Sequence, residues 1–394
     1  MRPDVFEALA PVCPRCLHGG AGEAPLRIGH AAETRAGRLW HGILHCSSSA
    51  CWTEFPVIDG VPVVVPDPAG FLQNARAQVL ARETLPGALE SLLGDALGPG
   101  GEFDTTRQHL SIYAGAHYAD WGGIGSDRIE PLVSRHSRES GNLVPVEGDP
   151  RLRGDDGEAE ASPSDRTPPW AGDETPDIVG ALRAGRDALG AVEGPAIDIG
   201  GSVGRGGWEL SRSARPVLTA DLNFSFLRFA QRLALDGEAT FGHRRVGLVY
   251  DPVTVRLPPG MGGAHLDFWA ADAMALPFRA GAFRLATAIN LVDSIAGPTE
   301  MVAEAARVLA PGGGAVFATP HDWSQNAAEP ARWMGGHSQR GPLGGAAEPV
   351  LTATLAQHGL APVAERTGLP WRLRLHDRAV MHYDLHLVAC RRTG

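Results

Sequence analysis

No apolar run in this chain approaches the length needed to span a bilayer. Its opening, "MRPDVFEALAP", also lacks the basic start and apolar h-region of a signal peptide. These absences argue against a membrane protein and make a cytoplasmic location the expectation. Positive charge is not in surplus either: 35 Lys and Arg stand against 45 Asp and Glu, a formal net charge of -10. Such a balance offers no global field to draw in nucleic acid or an acidic membrane surface. Cysteine is scarce, at five residues, yet four of them cluster as two pairs near the N-terminus and Cys390 stands alone. In a reducing compartment that clustering points to a metal rather than to disulfides. What is plentiful is glycine and proline, 50 and 31 of 394 residues, below the range of wholesale disorder. Long loops around an ordered core are expected, with room for one large domain and smaller ones.

Four segments separate along the chain. Residues 1–68 hold the paired cysteines and end in "FPVIDGVPVVVPD", a strand, a turn at Asp59-Gly60 and another strand. Residues 69–133 read as mainly helical and include an aromatic-rich piece, "HLSIYAGAHYADW". Residues 134–176 are charged, rich in proline and glycine and poor in large apolar side chains, the composition of a disordered insert. Its "SRHSRESGN" and "DPRLRGDD" resemble peptides made when a palindromic bacterial DNA repeat is read in frame, which implies a tolerated passenger. Residues 177–394 alternate strand and helix signals, so the expectation there is α/β: a mostly parallel sheet with helices on both faces.

Cys13-Pro-Arg-Cys16 and the pair Cys46 and Cys51 have the two-knuckle layout of a structural zinc ribbon. Four thiolates would close a tetrahedral sphere, and His45 is a substitute ligand. A 68-residue module with few large side chains needs such a staple. The CPxC knuckle, the second pair and the "FPVIDGVPVVVPD" tail resemble the Trm112-like family. The second knuckle is longer than that family's usual one. The resemblance implies a small β-rich zinc ribbon that supports a methyltransferase and offers a surface to a protein partner.

In "PAIDIGGSVGRGGWEL" an apolar strand enters a glycine-rich turn and a helix leaves it. A dinucleotide fingerprint counted from Gly200 would need glycines where Ser202 and Arg205 stand, so that option fails. Asp198, Gly200 and Gly204 instead have the spacing of a turn that holds S-adenosylmethionine. "RPVLTADLN" is a second strand ending in Asp221, 23 residues after Asp198, where a carboxylate can accept both ribose hydroxyls. "DFWAADAMALPF" is a third, followed by Asp272 and Ala273 at a position to read the adenine amino edge. "FRLATAINLVDSI" is a fourth, reaching Asn290 and Asp293 at the sheet edge where ligands of open α/β sheets bind. "MVAEAARVLAPGGGAVFATP" gives a helix, a Pro-Gly-Gly break and a fifth strand.

This series resembles the class I S-adenosylmethionine-dependent methyltransferases, type 11-like. It implies a Rossmann-like seven-stranded core, with Asp198, Gly200, Gly201, Ser202, Gly204, Arg205, Asp221, Asp272, Ala273 and Asn290 around the cofactor. "TPHDWSQNAAEPARWMGG" and "LPWRLRLHDRAVMHYDLHLVA" are similar to stretches of the ovothiol-pathway methyltransferase domain, which methylates an imidazole nitrogen. His321 and Met334 depart from that pattern.

The expected activity is methyl transfer to a small molecule, with an imidazole or amine nitrogen as the acceptor. Alignment and a dry site do most of that work. A late proton acceptor is drawn from Asp293, His321 or Tyr118, with Asp293 favoured among them because the fourth strand sets it beside the methyl donor; a helix N-cap is its equal alternative. Tyr113, His117, Trp323 and Trp333 are acceptor contacts or aromatic packing. Two other functions compete: a ribosomal RNA base methyltransferase, which the charge balance opposes, and a non-catalytic scaffold.

Overall fold

Ala196–Ile199 and Leu266–Ala270 are buried at every position, and Val217–Asp221 at all but its last. Strands hidden on both faces belong at the centre of a parallel sheet. The computed structural model describes residues 1–81, 87–123 and 175–394. The insert expected over 134–176 lies, but for its last two residues, outside the described residues.

Strands are numbered along the chain: β1 (Leu26–Arg35), β2 (Arg38–Cys46), β3 (Glu54–Ile58), β4 (Val61–Pro62), β5 (Gly122–Gly123), β6 (Ala196–Ile199), β7 (Val217–Asp221), β8 (Glu238–Val246), β9 (Val249–Arg256), β10 (Leu266–Ala270), β11 (Phe283–Ile289), β12 (Leu309–Thr319), β13 (Leu360–His376) and β14 (Ala379–Arg392). Seven of them form one sheet in the order β10-β7-β6-β11-β12-β14-β13. Neighbours from β10 to β12 run parallel, while β14 is antiparallel to both its partners. This is the Rossmann-like methyltransferase core expected from the sequence. The order reverses beside β6, leaving a crevice beyond the carboxyl ends of β6 and β11.

Helices cover both faces. Helix Asp177–Leu189 packs where Gly185 meets Val316 of β12, so closely that a Cβ would fall 2.3 Å from Val316. Helix Pro298–Val308 starts on a proline at its first position and puts Met301, Val302 and Ala305 into the opposite cluster. The Pro-Gly-Gly break is a bulge within β12, not an interruption before it: pairing jumps from Phe283↔Leu309 to Leu285↔Gly314. The sequence reading passed over a third sheet, β5-β9-β8, whose β8-β9 hairpin lies between helix Phe224–Asp236 and β10.

The N-terminal residues form a four-stranded sheet, β1-β2-β3-β4. Asp59 and Gly60 both have positive φ, 52° and 77°, the twist a tight hairpin turn needs. This module has no core of its own. Phe6, Leu44, Phe55 and the cysteines share one buried cluster with Trp269, Leu276 and Phe278 of the large domain. Val63 bridges Ala270 in parallel, and the Val64 amide donates to the Ala270 carbonyl at 2.8 Å, so the module covers the exposed edge of β10. The Val12 amide reaches the Pro277 carbonyl at 2.9 Å.

Candidate active site

The turn after β6 is shaped by what surrounds it. Gly200 has φ 69°, and a Cβ there would lie 2.8 Å from the Leu291 side chain. At Gly201 a Cβ would press within 2.5 Å of Asp198 Oδ2. Asp198 itself is buried, and its Oδ1 accepts from the Thr287 hydroxyl at 2.6 Å. Burial pushes its carboxyl up to about 7, since the charged form loses its water. Asp221, closing β7, accepts from the Ser202 amide through Oδ2 at 2.8 Å and from the Asn223 amide through Oδ1 at 2.7 Å. Each oxygen keeps a further lone pair. Burial raises this carboxyl too.

Beyond these strand ends lies a cavity of about 210 Å³. Asp198, Gly200, Gly201, Ser202 and Asp221 form its floor, and Ile289, Asn290, Leu291 and Ser294 one wall. Helix Glu102–His117 roofs it with His109, Tyr113 and His117, and β13 contributes Trp371. Tyr113 meets Phe226 edge-on at 5.3 Å, and His117 meets Trp371 the same way at 5.9 Å. His117 is buried and held down to about 3 by desolvation, with the Arg205 charge adding to it, so its imidazole is neutral at pH 7. Both its ring nitrogens, the Ser202 hydroxyl and Trp371 Nε1 are buried with no partner among the described residues. Buried polar groups in native proteins are nearly always paired, so four such atoms around one cavity point to a ligand. No arginine among the described residues lines it.

Of the residues singled out in the sequence, the cavity gathers Asp198, Gly200, Gly201, Ser202, Asp221, Asn290, Tyr113 and His117. The others lie elsewhere. Arg205 is an interior clamp: its guanidinium donates to Asp120 at 2.9 Å, to Glu209 at 3.1 Å and to the His117 carbonyl at 3.0 Å. It lies over Trp121 at 4.1 Å. Gly204, at φ 90°, lets the helix Arg205–Leu210 start against Phe268. Tyr118 is fully buried and its hydroxyl donates to the Val203 carbonyl at 2.8 Å, so it braces the glycine turn and is not free to take a proton. Asp272 and Ala273 form a turn in which Asp272 accepts from the Met274 amide at 2.9 Å, off the cavity lining.

Asp293 is buried in a short 3-10 turn after β11. Its Oδ2 accepts from the Asp322 amide at 2.8 Å, and burial lifts its carboxyl to about 6. It thereby pins the loop after β12, which carries His321, Trp323 and Trp333. The two indoles stack at 6.0 Å and 11°, Trp333 donating to the Ala328 carbonyl at 3.1 Å. Tyr383 of β14 donates to Asp322 at 2.9 Å from the other side. Trp371, Ser294 and Leu291 escaped the sequence reading. Trp371 arrives on a hairpin more than 150 residues after the glycine turn, and only its aromatic character in "LPWRLRLH" could have flagged it.

The four N-terminal cysteines meet. Their sulfurs all lie within 4.8 Å of one another, with Cys13 and Cys51 3.8 Å apart and Cys16 and Cys46 3.6 Å apart. Tetrahedral Zn–S bonds of about 2.3 Å require sulfurs about 3.8 Å apart. The Ser48 amide points at Cys46 Sγ at 3.3 Å, showing how the four-residue knuckle closes. His45 sits over Gly29, outside the cluster. The donor set fits zinc and leaves no open position.

Fold and site together define an α/β domain built on a seven-stranded, mostly parallel sheet, with its cavity at the topological switch point. Residues 197–317 match the family described as "Methyltransferase domain". No curated protein matches the chain. Similar solved structures include the YcgJ protein of Bacillus subtilis (14% identity over 55% of this chain and 98% of that one, TM-score 0.37). Another is a SAM-dependent methyltransferase from Methanosarcina mazei (18%, 52% and 96%, TM-score 0.36). A third is geranyl diphosphate C-methyltransferase from Streptomyces coelicolor A3(2) (14%, 54% and 77%, TM-score 0.36).

Proposed function

We propose that this protein transfers a methyl group from S-adenosylmethionine to a nitrogen of a small molecule, an imidazole or an amine, and carries a structural zinc ion on Cys13, Cys16, Cys46 and Cys51. The observation that carries the reading is the set of buried, unpartnered polar atoms on Ser202, His117 and Trp371 around the cavity. S-adenosylmethionine supplies, when bound, an electrophilic methyl group on a sulfonium. In this assignment Asp221 takes the ribose hydroxyls with its remaining lone pairs. Ser202, His117 and Trp371 donate to the carboxylate of the amino-acid end. Asn290 and the turn glycines let the backbone close on the ligand.

The cavity's aromatic roof and paired aspartates suit a cationic sulfonium and a neutral acceptor. A cavity with no arginine among the described residues of its lining, in a chain of net charge -10, disfavours an RNA substrate. The loop pinned by Asp293 covers the acceptor end, with Trp323 and Trp333 as its aromatic anchors. Asp293 serves as loop anchor, and His321 takes the proton. The zinc module supports β10 and the turn at Asp272.

A labelled-methyl screen over histidine derivatives, small amines and ribosomal RNA tests this. Label in an imidazole or amine is the expected outcome. Label in RNA alone would replace the small-molecule acceptor with the RNA one.

A further inference from the structure

Behind the acceptor loop runs a line of three side chains, of which the methyl-transfer reading has used His321 alone. His321 Nε2 lies 3.1 Å from His386 Nδ1, and His386 Nε2 lies 2.8 Å from Glu365 Oε1. The two imidazoles are nearly parallel, at 28°. His386, on β14, is buried to 3% exposure, whereas the Glu365 side chain, on β13, is 46% exposed. The line therefore runs from the loop interior to water.

Its inner end is open. His321 Nδ1 is buried with no partner among the described residues. Its backbone is held at φ 57°, an uncommon conformation for a residue other than glycine, with its amide donating to the Thr319 hydroxyl at 3.0 Å. Hydrogen-bond chemistry then sets every proton. A carboxylate can only accept, so His386 carries hydrogen on Nε2 and a lone pair on Nδ1. That lone pair requires His321 to donate from Nε2, which leaves His321 Nδ1 bare and basic. Histidine is the one side chain whose ordinary pKa lies between those of carboxylates and thiols.

We propose that Glu365, His386 and His321 form a proton exit line for the acceptor site, with His386 and Glu365 as positioning residues that fix the reactive tautomer of His321. The proposal rests on the methyltransferase reading for the source of its proton. A nitrogen that gains a methyl group must shed a proton. His321 Nδ1 takes it, and the hydrogen on Nε2 passes to His386 Nδ1. His386 becomes an imidazolium beside Glu365, and its Nε2 proton leaves to water. Both rings are then Nδ1–H tautomers, and the line resets once the methylated product has left: water in the emptied site takes the His321 Nδ1 proton, His386 Nδ1 returns its hydrogen to His321 Nε2, and solvent beside Glu365 reprotonates His386 Nε2.

The test reads the line itself, by nitrogen-15 spectra of the histidine rings in the full-length protein at neutral pH. In the wild type both His321 and His386 should be the Nε2–H tautomer. Glu365→Ala should scramble the His321 tautomer and slow exchange of its Nε2 hydrogen with water at least tenfold. Glu365→Gln, whose amide oxygen still accepts, should restore the tautomer. A bare Nε2 on His321 in the wild type, or exchange unchanged in Glu365→Ala, would overturn the proposal. Calorimetry with S-adenosylhomocysteine on the same samples separates the two claims. Affinity unchanged in Glu365→Ala is expected. No binding to the wild type would remove the methyltransferase reading while the tautomers still judge the line.

Discussion

At the scale of single residues, burial decides what each charged group can do. Arg205 directly follows Gly204 at the end of the glycine-rich turn, and from sequence alone it reads as a cofactor contact. Its pairing with Asp120 is a tertiary fact, set by a segment 85 residues earlier, while Glu209 lies one helical turn further on. Truncating one member of a buried ion pair leaves the other uncompensated, so Arg205→Ala should cost about 3 kcal/mol or more of stability. A melt that stays within a degree of wild type, with cofactor affinity lost, would return Arg205 to the site. Asp198 and Asp293 carry a different signature. Both titrate higher in the folded chain, at about 7 and about 6, than their ordinary 3.8, so the native state keeps protons that the unfolded chain has released. Their contribution to stability is therefore full below pH 4 and falls away as pH rises to about 7. Asp198→Asn should flatten that decline in urea titrations run from pH 4 to 8. An equally steep decline in the variant would show that Asp198 is ionised throughout.

Among elements, the strands that form the ligand edge were legible because short apolar runs end in carboxylates at fixed intervals. Asp198, Gly200, Ser202 and Asp221 all reach the cavity for that reason. The Asp59-Gly60 hairpin was legible too, since only residues that tolerate positive φ make so tight a turn. The roof was less so. Trp371 comes from the far hairpin, and no local pattern says that its partner Tyr383 would face the loop after β12. The β8-β9 hairpin was missed because residues such as Gly242, His243 and Pro252 interrupt the apolar alternation that marks a strand. The cysteine element makes its own prediction. Purified protein should hold about one zinc per chain, and Cys16→Ser should lower both zinc content and melting temperature. Full occupancy by elemental analysis with a single thiolate removed would exclude the four-cysteine site.

The molecule as a whole is less modular than its composition suggests. Residues 1–68 read as a separate ribbon, yet their apolar side chains complete one continuous cluster with Trp269 and Phe278, and their last strand caps the edge of the large sheet. A surface that composition would leave for a partner is partly used within the same chain. The Val64 amide donates directly to that edge, so Val64→Pro should lower the melting temperature of the whole protein in a single transition. Two transitions, with only the smaller one moved, would mean that the ribbon folds independently. Across all these contacts the central claim is that the cavity beyond β6, β7 and β11 holds a methyl donor. Titration calorimetry with S-adenosylhomocysteine tests it most directly: one site per chain in the wild type, with affinity weakened tenfold or more in Asp221→Ala and in Trp371→Phe. Absence of heat at millimolar ligand, with the protein folded and zinc-loaded, would contradict the account.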